Sequence, residues 1–274
     1  MLIAQISDLH IKTPGKLSYR VVDTSGMLRT CIEHVRNLKQ KPHLVVITGD
    51  LTDFGKPEEY AHLREILLTL GIPFCLIPGN HDDRANLLAA FPDHPYLRQF
   101  TPFVQFAIEH LPLRILALDT VIPGESGGTL CQQRLDWLAE KLDKFPNRPT
   151  VILMHHPPFK TYIGHMDDIG LDARSAEAMK AIVQRHPQVE RVLCGHLHRP
   201  IQVRWAGTLA STAPSPAHQV ALDLSPDAPS QFVMEPPGYQ LHKWQPETGL
   251  VSHTAYIGKF DGPYPFYDAG GLID

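Results

Sequence analysis

Five short segments of the chain are rich in side chains that bind metal ions. They are Asp8-Leu9-His10, Gly49-Asp50, Gly79-Asn80-His81-Asp82, His155-His156-Pro157-Pro158 and Gly195-His196-Leu197-His198. Imidazole nitrogens combined with carboxylate and amide oxygens, without a thiolate, suit Zn²⁺, Mn²⁺ or iron rather than a soft thiolate site or an all-oxygen Ca²⁺ site. The chain also has 16 histidines in 274 residues, and imidazole is the commonest metal ligand.

The spacing of these residues predicts a centre with two ions. The predicted ligands are Asp8, His10, Asp50, Asn80, His155, His196 and His198. Asp8 and His10 lie two residues apart, as do His196 and His198, so on extended backbone each pair points to one side and can hold one ion. Asp50 follows a glycine at a strand exit, where its carboxylate can bridge both ions. Two ions ~3.5–4 Å apart can hold a bridging hydroxide and clamp the attacking and leaving oxygens of an in-line displacement, for which phosphorus is the natural target.

His81 is predicted to be a catalytic residue beside this centre. It follows the candidate ligand Asn80 and precedes Asp82, whose carboxylate we expect to orient the imidazole. A histidine held in this way can protonate a leaving alkoxide or stabilise charge on a phosphoryl oxygen. The sequence therefore predicts His81 as the general acid with Asp82 as its catalytic partner, and His81 with Asn80 as substrate contacts.

Each of the five segments follows a predicted strand. Apolar runs predict strands at Leu2–Ile6, Leu44–Thr48, Phe74–Ile77, Leu113–Leu118, Val151–Met154 and Arg191–Cys194. Helical spacing and end signals predict helices at Gly26–Leu38, Pro57–Leu70, Arg84–Phe91, Arg98–His110, Gln132–Lys144 and Asp172–His186. The alternation is typical of an α/β fold, in which the loops beyond the carboxyl ends of the strands form the ligand crevice. Ligands far apart in the sequence are therefore expected to meet.

The chain changes character after Pro200. Short strands are predicted at Ile201–Trp205, His218–Leu224, Gln231–Met234, Tyr239–Trp244 and Val251–Ile257. Much of the proline, which totals 25 residues, lies in this part of the chain. We expect a catalytic domain over residues 1–224 and a C-terminal β-rich extension over residues 225–274, with a poorly ordered tail after about Gly258. This extension is interpreted as a cap or an oligomer contact rather than an independent domain.

Composition and charge exclude several classes of protein. With 43% hydrophobic and 20% charged residues the chain is globular, and its net charge of −4 gives no bulk attraction to nucleic acid or to an anionic membrane. No apolar stretch approaches the ~20 residues of a membrane span, and no secretory leader is recognisable. The four scattered cysteines form no C-x-x-C pair, so neither a zinc ribbon nor a disulfide framework is indicated. These features predict a cytoplasmic protein with no membrane partner, and they count against nucleic acid as a partner.

Some of these residues also have ordinary structural interpretations. Asp8, Asp50 and Asn80 at strand ends are typical turn and cap residues, and only the accompanying ligands favour metal binding for them. His156 is expected to be structural or to orient a ligand rather than to bind metal itself.

The ordered set of segments resembles the signature of the calcineurin-like metallophosphoesterases, with no member missing. Within that superfamily the chain is similar to the bacterial class III cyclic nucleotide phosphodiesterases and the related glycerophosphodiesterases, over roughly residues 1–220. The resemblance implies a four-layer α/β/β/α sandwich. It implies one ion on Asp8, His10, Asp50 and His198 and a second on Asp50, Asn80, His155 and His196, with Asp50 bridging. It also implies that His218 contacts substrate near the phosphate, and Met166-Asp167 matches the pattern of the relatives.

Residues and resemblance together predict a metal-dependent phosphodiesterase for small diesters. By the resemblance the substrates are 3′,5′-cyclic nucleotides such as cAMP, or glycerophosphodiesters, hydrolysed by attack of a metal-bridging hydroxide. The alternatives are a phosphomonoesterase or nucleotide pyrophosphatase of the same superfamily, a non-catalytic scaffold, and a nuclease, which the net charge of −4 disfavours. Two divalent ions, Mn, Fe or Zn, are the expected cofactors. A homo-oligomer is also expected, because the C-terminal tail is rich in aromatic residues such as Phe260, Tyr264 and Phe266. By the resemblance, related enzymes are commonly oligomeric.

Overall fold

The strands predicted from the apolar runs form the centres of two β-sheets. The computed structural model describes residues 1–273, so Asp274, the last residue of the predicted extension, lies outside the described residues. The strands are, in chain order, β1 (Leu2–Ile6), β2 (Leu44–Thr48), β3 (Phe74–Ile77), β4 (Phe106–Ile108), β5 (Arg114–Ala117), β6 (Thr150–Leu153), β7 (Val189–Cys194), β8 (Gln202–Trp205), β9 (Thr208–Thr212), β10 (Gln219–Val220), β11 (Phe232–Val233), β12 (Gly238–Gln245), β13 (Gly249–Tyr256), β14 (Tyr267–Asp268) and β15 (Gly271–Leu272). The helices are α1 (Thr24–Arg36), α2 (Pro57–Leu67), α3 (Arg84–Ala90), α4 (Gln132–Lys144), α5 (Gly164–Asp167) and α6 (Ala173–Val183).

The first sheet has the strand order β13-β12-β1-β2-β3. β1, β2 and β3 are parallel, and β12 lies antiparallel on the free side of β1. β12 forms a hairpin with β13, which is the edge of the sheet. Strands of the C-terminal segment are therefore part of the sheet that begins with β1.

The second sheet has the strand order β4-β5-β6-β7-β9-β8. β5, β6, β7 and β9 are parallel, and the edge strands β4 and β8 are antiparallel to their neighbours. The parallel strands β1, β2, β5 and β6 are fully buried, which explains why apolar residues dominate them in the sequence.

Alternation along the strands of the second sheet shows how the layers pack. Ile115, Val151 and Leu193 belong to the hydrophobic core that contains the strands of the first sheet and the apolar faces of α1, α2 and α3. Their sequence neighbours Leu116 and Ile152 belong to a separate core with α4 and α6. Because successive residues of a strand point to opposite faces, the second sheet lies between the first sheet and these two helices. The fold is the predicted α/β/β/α sandwich.

Most of the predicted elements are confirmed, and β1, β2, β3 and α4 have the predicted bounds. The predicted helix Arg98–His110 is wrong, because this stretch contains only the end of a short 3₁₀ helix at Pro95–Arg98 and the edge strand β4. Pro102 stands in the middle of it, where proline lacks an N–H and obstructs helical backbone. The strand β9 was not predicted. In the tail, which was predicted to be poorly ordered, β14 and β15 form a small hairpin. Among the described residues, no helix has the length and apolar character needed to cross a membrane.

Candidate metal centre

The loops after β1, β2, β3, β6 and β7 bring the predicted ligands together at one edge of the sandwich. Backbone hydrogen bonds join these loops: the N–H groups of Leu9 and His10 both donate to the Asp50 carbonyl, at 2.8 and 2.9 Å. Between the loops after β6 and β7, both in the second sheet, Gly195 N–H donates to the His155 carbonyl at 3.0 Å. The convergence expected from strand-end placement is observed.

Four of the predicted ligands form a first group around His10. His10 Nε2 lies 3.1 Å from His198 Nε2 and 3.5 Å from Asp50 Oδ2. His198 Nε2 lies 3.8 Å from Asp8 Oδ1. One donor atom of each of these four buried residues lies within 4.8 Å of the others, which is close enough for all four to contact one ion.

The other three predicted ligands lie on the opposite side of Asp50. His155 Nε2 is 3.1 Å from Asn80 Oδ1 and 3.3 Å from Asp50 Oδ1. The ring of His196 lies 5.1 Å from that of His155, centroid to centroid. Asp50 thus presents Oδ2 to the first group and Oδ1 to the second, which is the geometry that a bridging carboxylate requires.

Hydrogen bonds at the remote ring nitrogens fix the orientation of these imidazoles. His155 Nδ1 donates to the Thr48 carbonyl at 2.8 Å, and His198 Nδ1 donates to the His218 carbonyl at 3.0 Å. In each ring the bond leaves Nε2 facing the cluster with a free lone pair, as metal binding requires.

Asp53 orients His10, a role that was not predicted from the sequence. Its Oδ1 lies 3.2 Å from His10 Nδ1, while its Oδ2 accepts a hydrogen bond from Lys12 Nζ at 2.6 Å. Burial opposes ionisation of Asp53, but the hydrogen bonds from His10 and Lys12 outweigh it and lower its pKa to about 2. The available signal was a carboxylate three residues after the candidate bridging ligand.

Five of the seven predicted ligands have left-handed backbone. Their φ angles are 58° for Asp8, 46° for His10, 47° for Asp50, 72° for His196 and 52° for His198. Only a few per cent of residues other than glycine adopt this conformation, which costs roughly 1–3 kcal/mol each and is concentrated at functional sites. The expectation that Asp8 and His10 lie on extended backbone is therefore wrong, and tight turns bring the pairs together instead.

Close approach of the loops requires glycine at Gly79. A Cβ on this residue would lie 2.2 Å from Asp50 Oδ1 and 2.8 Å from His155 Cε1. Neither side chain could stay in place beside it, so the glycine is needed for the packing of the candidate bridging carboxylate.

Unpaired buried atoms show that these residues fit metal ions. Asp8 Oδ2 and His196 Nε2 are buried and have no hydrogen-bond partner among residues 1–273. Such orphaned atoms destabilise a folded protein by about 1–3 kcal/mol each unless a partner is supplied. Burial raises the pKa of Asp8 to about 6 and, together with the neighbouring imidazoles, lowers the pKa of His196 well below its ordinary value. A divalent cation is the partner that would satisfy both atoms.

His81 lies at the cavity beside the cluster, but Asp82 does not orient it. The backbone N–H of His81 donates to Asp50 Oδ1 at 3.0 Å, and its Nδ1 donates to the Asp53 carbonyl at 2.8 Å. Asp82 instead accepts hydrogen bonds from the Leu51 and Gly79 amides at 3.0 and 2.8 Å. Its other oxygen accepts from the Thr52 amide and hydroxyl and from the Tyr60 hydroxyl. The predicted partnership with His81 is thus corrected: Asp82 ties the loop after β2 to the loop after β3.

The predicted substrate contact His218 is buried next to the first group. Its ring centroid lies 4.6 Å from that of His198 and 5.5 Å from that of His10. Burial, with the neighbouring imidazoles, lowers the pKa of His218 to about 2. His156 lies behind the second group, and its ring nitrogens contact Thr120 Oγ1 at 2.8 Å and the Ser126 carbonyl at 3.2 Å. These contacts agree with the structural role expected for His156.

A cavity of about 370 Å³ opens onto both groups of candidate ligands. Its lining includes the candidate site residues His10, Asp50, Asn80, His81, His196, His198 and His218. Met166, which was singled out in the sequence, also lines the cavity. The other lining residues were not predicted from the sequence: Tyr19, Ser126, His165, Ile169, Val220, Ser230, Gln231 and Phe232. Asp167 does not line the cavity, because its carboxylate accepts hydrogen bonds from Thr161 and Tyr162 and supports the loop.

The sandwich and its cluster of histidines and carboxylates define a metallophosphoesterase. The chain belongs to the calcineurin-like phosphoesterase family, whose profile matches residues 1–200. A probable glycerophosphodiester phosphodiesterase of Arcobacter nitrofigilis is 46% identical over 275 residues, covering 100% of both chains. A probable cyclic nucleotide phosphodiesterase of Rhodopseudomonas palustris is 30% identical over 99% of this chain and 98% of its own.

Among solved structures, a dimetal phosphatase of Danio rerio has a similar fold, with a TM-score of 0.64 and 16% identity. The match covers 94% of this chain and 99% of that chain. The predicted family, fold class and metal-dependent phosphodiesterase activity are thereby confirmed. The family uses a centre of two metal ions, as predicted, and the His and Asp cluster described above fits one.

Proposed function

We propose that this chain hydrolyses small phosphodiesters, with glycerophosphodiesters as the first candidates and 3′,5′-cyclic nucleotides as the second. The proposal depends mainly on the position of Asp50. Its two carboxylate oxygens face separate groups of nitrogen and oxygen donors beside a cavity of about 370 Å³. Full-length similarity at 46% identity to a probable glycerophosphodiester phosphodiesterase supports the first candidate. The relative at 30% identity supports the second.

The cavity supports a diester over a monoester. Its lining includes histidines but, among the described residues, no lysine or arginine. A monoester carries an additional negative charge that cationic side chains would stabilise, so their absence from the lining disfavours the phosphomonoesterase alternative.

The ligand assignment follows from the two groups around the bridging carboxylate. The first ion would be held by Asp8, His10, Asp50 and His198, and the second by Asp50, Asn80, His155 and His196. When bound, two ions supply charge that stabilises phosphoryl oxygens and water whose pKa is lowered. The mixed nitrogen and oxygen donors suit Mn, Fe or Zn.

His81 is the proposed general acid. The Asp53 carbonyl accepts a hydrogen bond from Nδ1 at 2.8 Å, so Nε2 is the ring atom left to carry a proton towards the substrate. From that atom the proton can pass to the leaving alkoxide. His218, kept neutral by burial, has an Nδ1 without a hydrogen-bond partner in the described part of the chain and is the proposed contact to substrate. The side-chain amide of Asn80 can donate to a phosphoryl oxygen.

A substrate panel tests the proposal. The full chain, loaded in turn with Mn²⁺, Zn²⁺ or Fe²⁺, would be assayed with glycerophosphocholine, cAMP, bis-p-nitrophenyl phosphate and the monoester p-nitrophenyl phosphate. We expect kcat/KM to be higher for at least one natural diester than for the monoester. Preference for the monoester, or no hydrolysis of any diester with any of the metals, would contradict the proposal.

We further propose that the protein is a cytoplasmic homo-oligomer. Tyr264, Phe266 and Tyr267 in the C-terminal segment are 74%, 80% and 69% exposed, and large aromatic side chains in this state are typical of contacts between subunits. The four free cysteines favour a reducing compartment. A monomeric mass by light scattering at micromolar concentration would contradict the oligomer.

A further inference from the structure

We propose that two aromatic rings at the mouth of the cavity, Tyr19 and Phe232, form a subsite for a methylated ammonium group on the alcohol of the substrate. We refer to this pair as the aromatic wall. The inference rests on the proposed phosphodiesterase function and specifies the substrate class as diesters with a cationic, choline-like alcohol.

The aromatic wall is built on a buried histidine. The rings of Tyr19 and Phe232 lie 5.0 Å apart between centroids and are tilted by 33°. Each also meets the ring of His218 nearly edge-on, at 5.2 and 5.3 Å. Tyr19 is 50% exposed and Phe232 is 36% exposed, whereas His218 is 2% exposed. The histidine therefore supports two rings that offer open surface to a ligand in the cavity.

Strained backbone holds Tyr19 in this position. Tyr19 and Arg20 are the central residues of a tight turn, with φ angles of 48° and 67°. Val21 N–H donates to the Ser18 carbonyl at 3.1 Å, and Ser18 N–H donates to the Val22 carbonyl at 2.9 Å. Positive φ at both central positions normally selects glycine, asparagine or aspartate. A bulky aromatic residue in such a turn is uncommon, and strain of this kind is concentrated at ligand sites.

Phe232 comes from the C-terminal segment, which the family profile over residues 1–200 does not cover. It lies on β11, which pairs with β10 so that Phe232 is opposite Val220. The same short pairing places Ser230 and Gln231 in the cavity lining. The subsite therefore combines Tyr19, which lies within the matched region, with Phe232, which lies outside it.

The charge of the surroundings favours a cation. Aromatic faces attract cations through their ring quadrupole, and quaternary ammonium groups are recognised in this way. Among the described residues that line the cavity there is no lysine or arginine to repel a positive group or attract an anionic one. An anionic alcohol such as glycerate would find no cationic side chain among the cavity-lining residues described.

Only the ring of His218 separates the aromatic wall from the candidate ligand His198, which favours a short spacer between phosphate and cation. The His218 ring lies 4.6 Å from the ring of His198 on one side and 5.2–5.3 Å from the aromatic wall on the other. In an ethanolamine-type alcohol three bonds of ~1.5 Å separate the ester oxygen from the nitrogen, so the nitrogen reaches about 4 Å from that oxygen. A phosphate at the centre would thus place the ammonium group near the two rings. A planar nucleobase has no slot between them, because the rings already pack against each other.

The test compares a cation with its uncharged isostere. Using the full metal-loaded chain, kcat/KM would be measured for glycerophosphocholine and for the analogue in which 3,3-dimethylbutanol replaces choline. We expect the wild type to favour the cation by about tenfold, within the range of a partly desolvated cation–π contact. Phe232→Leu and Tyr19→Leu should lower this ratio towards one, and Phe232→Tyr should preserve it. Phe260→Leu, which removes an exposed aromatic ring from the tail, is the matched control and should leave the ratio unchanged.

A binding measurement separates this inference from the proposed function. Calorimetry with phosphocholine and 3,3-dimethylbutyl phosphate reports the aromatic wall even if no diester is hydrolysed, and we expect the same preference for the cation. Equal values for cation and isostere in the wild type, or a preference that survives both leucine substitutions, would overturn the subsite. If KM were lower for cAMP than for glycerophosphocholine and this difference were lost in Phe232→Leu, the aromatic wall would be a nucleobase site. That result would also overturn the proposed cation subsite. Failure of the proposed function appears differently, as absence of hydrolysis of every diester in the panel.

Discussion

The strand-end loops of the core and the C-terminal segment from residue 225 onward both reach the cavity, but they are held in different ways. In the loops, the candidate ligands are mostly buried and their backbone and ring nitrogens are fixed by hydrogen bonds from other loops. In the segment, β11 is joined to β10 by a pairing of only two residues, and Phe232 and Val233 are exposed. The loops therefore have the rigidity that a metal centre needs, whereas the part of the segment around β11 can change with less effect on them.

This difference assigns separate tasks to the two regions. Left-handed backbone at five candidate ligands persists only where surrounding contacts over-determine it, and Asp82 supplies such contacts by accepting hydrogen bonds from several amides. The segment contributes Ser230, Gln231 and Phe232 to the lining of the cavity. We infer that the ligand-bearing loops determine the chemistry, and that Phe232 of the segment together with Tyr19 of the loop after β1 determines which alcohol is accepted.

The largest expected effect is at Asp50. In Asp50→Asn an amide NH₂ replaces one carboxylate oxygen, so the side chain can no longer offer an oxygen to each of the two groups of candidate ligands. We expect activity on bis-p-nitrophenyl phosphate to fall about 1000-fold, consistent with several kcal/mol of transition-state stabilisation, and bound metal measured by mass spectrometry to fall below two ions per chain. The control Asp136→Asn changes an exposed carboxylate on α4 and should behave as wild type. Full activity in Asp50→Asn would remove the argument for a bridging role.

The next largest effect is expected at His81, where kinetics and metal content together distinguish a general acid from a metal ligand. His81→Ala should lower kcat by about 100-fold or more while metal content stays at the wild-type level, because loss of a general acid typically costs 10²–10⁴-fold. His218→Ala, which removes the proposed substrate contact, should act mainly on KM. Steady-state kinetics with parallel metal analysis distinguishes the two. Loss of metal from His81→Ala would show that it belongs with the ligands.

A smaller effect is expected at Asp82, and on stability rather than on proton transfer. In Asp82→Asn an amide NH₂ replaces an oxygen that accepts hydrogen bonds, and it then faces donors such as the Gly79 amide or the Tyr60 hydroxyl. We expect the free energy of unfolding to fall by about 1–3 kcal/mol, measured by urea denaturation. Tyr60→Phe should cause a milder loss at the same site. A kcat decrease without loss of stability would restore the catalytic role first predicted for Asp82.

Away from the site, Asp172 at the N-cap of α6 is expected to make a pH-dependent contribution to the free energy of unfolding. Burial opposes ionisation of Asp172, but the hydrogen bonds from Ser175 outweigh it and lower its pKa below the ordinary value. A lowered pKa stabilises the folded state above the ordinary pKa, near 3.8, and this contribution is lost as the pH falls through the lowered value. Asp172→Ala should therefore cost about 1 kcal/mol at pH 7 and less at pH 3. Denaturation at both pH values measures the difference, and a cost that does not change with pH would contradict this account.

The smallest effect is expected in the tail. Phe266 is 80% exposed, so Phe266→Ser should change the free energy of unfolding by less than about 0.5 kcal/mol and leave kcat unchanged. Denaturation and steady-state assays check this at a concentration where the chain is monomeric. A large loss of stability would show that the tail packs on the core more firmly than its exposure indicates.

The sequence allowed the candidate ligands to be predicted because their side-chain types are distinctive and each follows a recognisable apolar strand. It did not reveal the left-handed turns at Asp8 and His10, since nothing in those residue types requires positive φ. The role of Asp82 was misassigned because its hydrogen bonds reach amides in another loop, about thirty residues away, at Leu51 and Thr52. Tyr19 and Phe232 meet only through the fold, and no periodic pattern links positions so far apart.

The pairing of β1 with β12 has a consequence for synthesis of the protein. β1 can pair with β2 once both have been synthesised, but its other edge, where Ala4 is opposite Leu241, has no partner until β12 has been made. At ~5–20 residues per second this interval lasts roughly 10–40 s on the ribosome. An unpaired, largely apolar central strand is a ready template for the wrong partner during that time. The nascent chain is therefore expected to depend on shielding by chaperones until β12 emerges and closes the sheet.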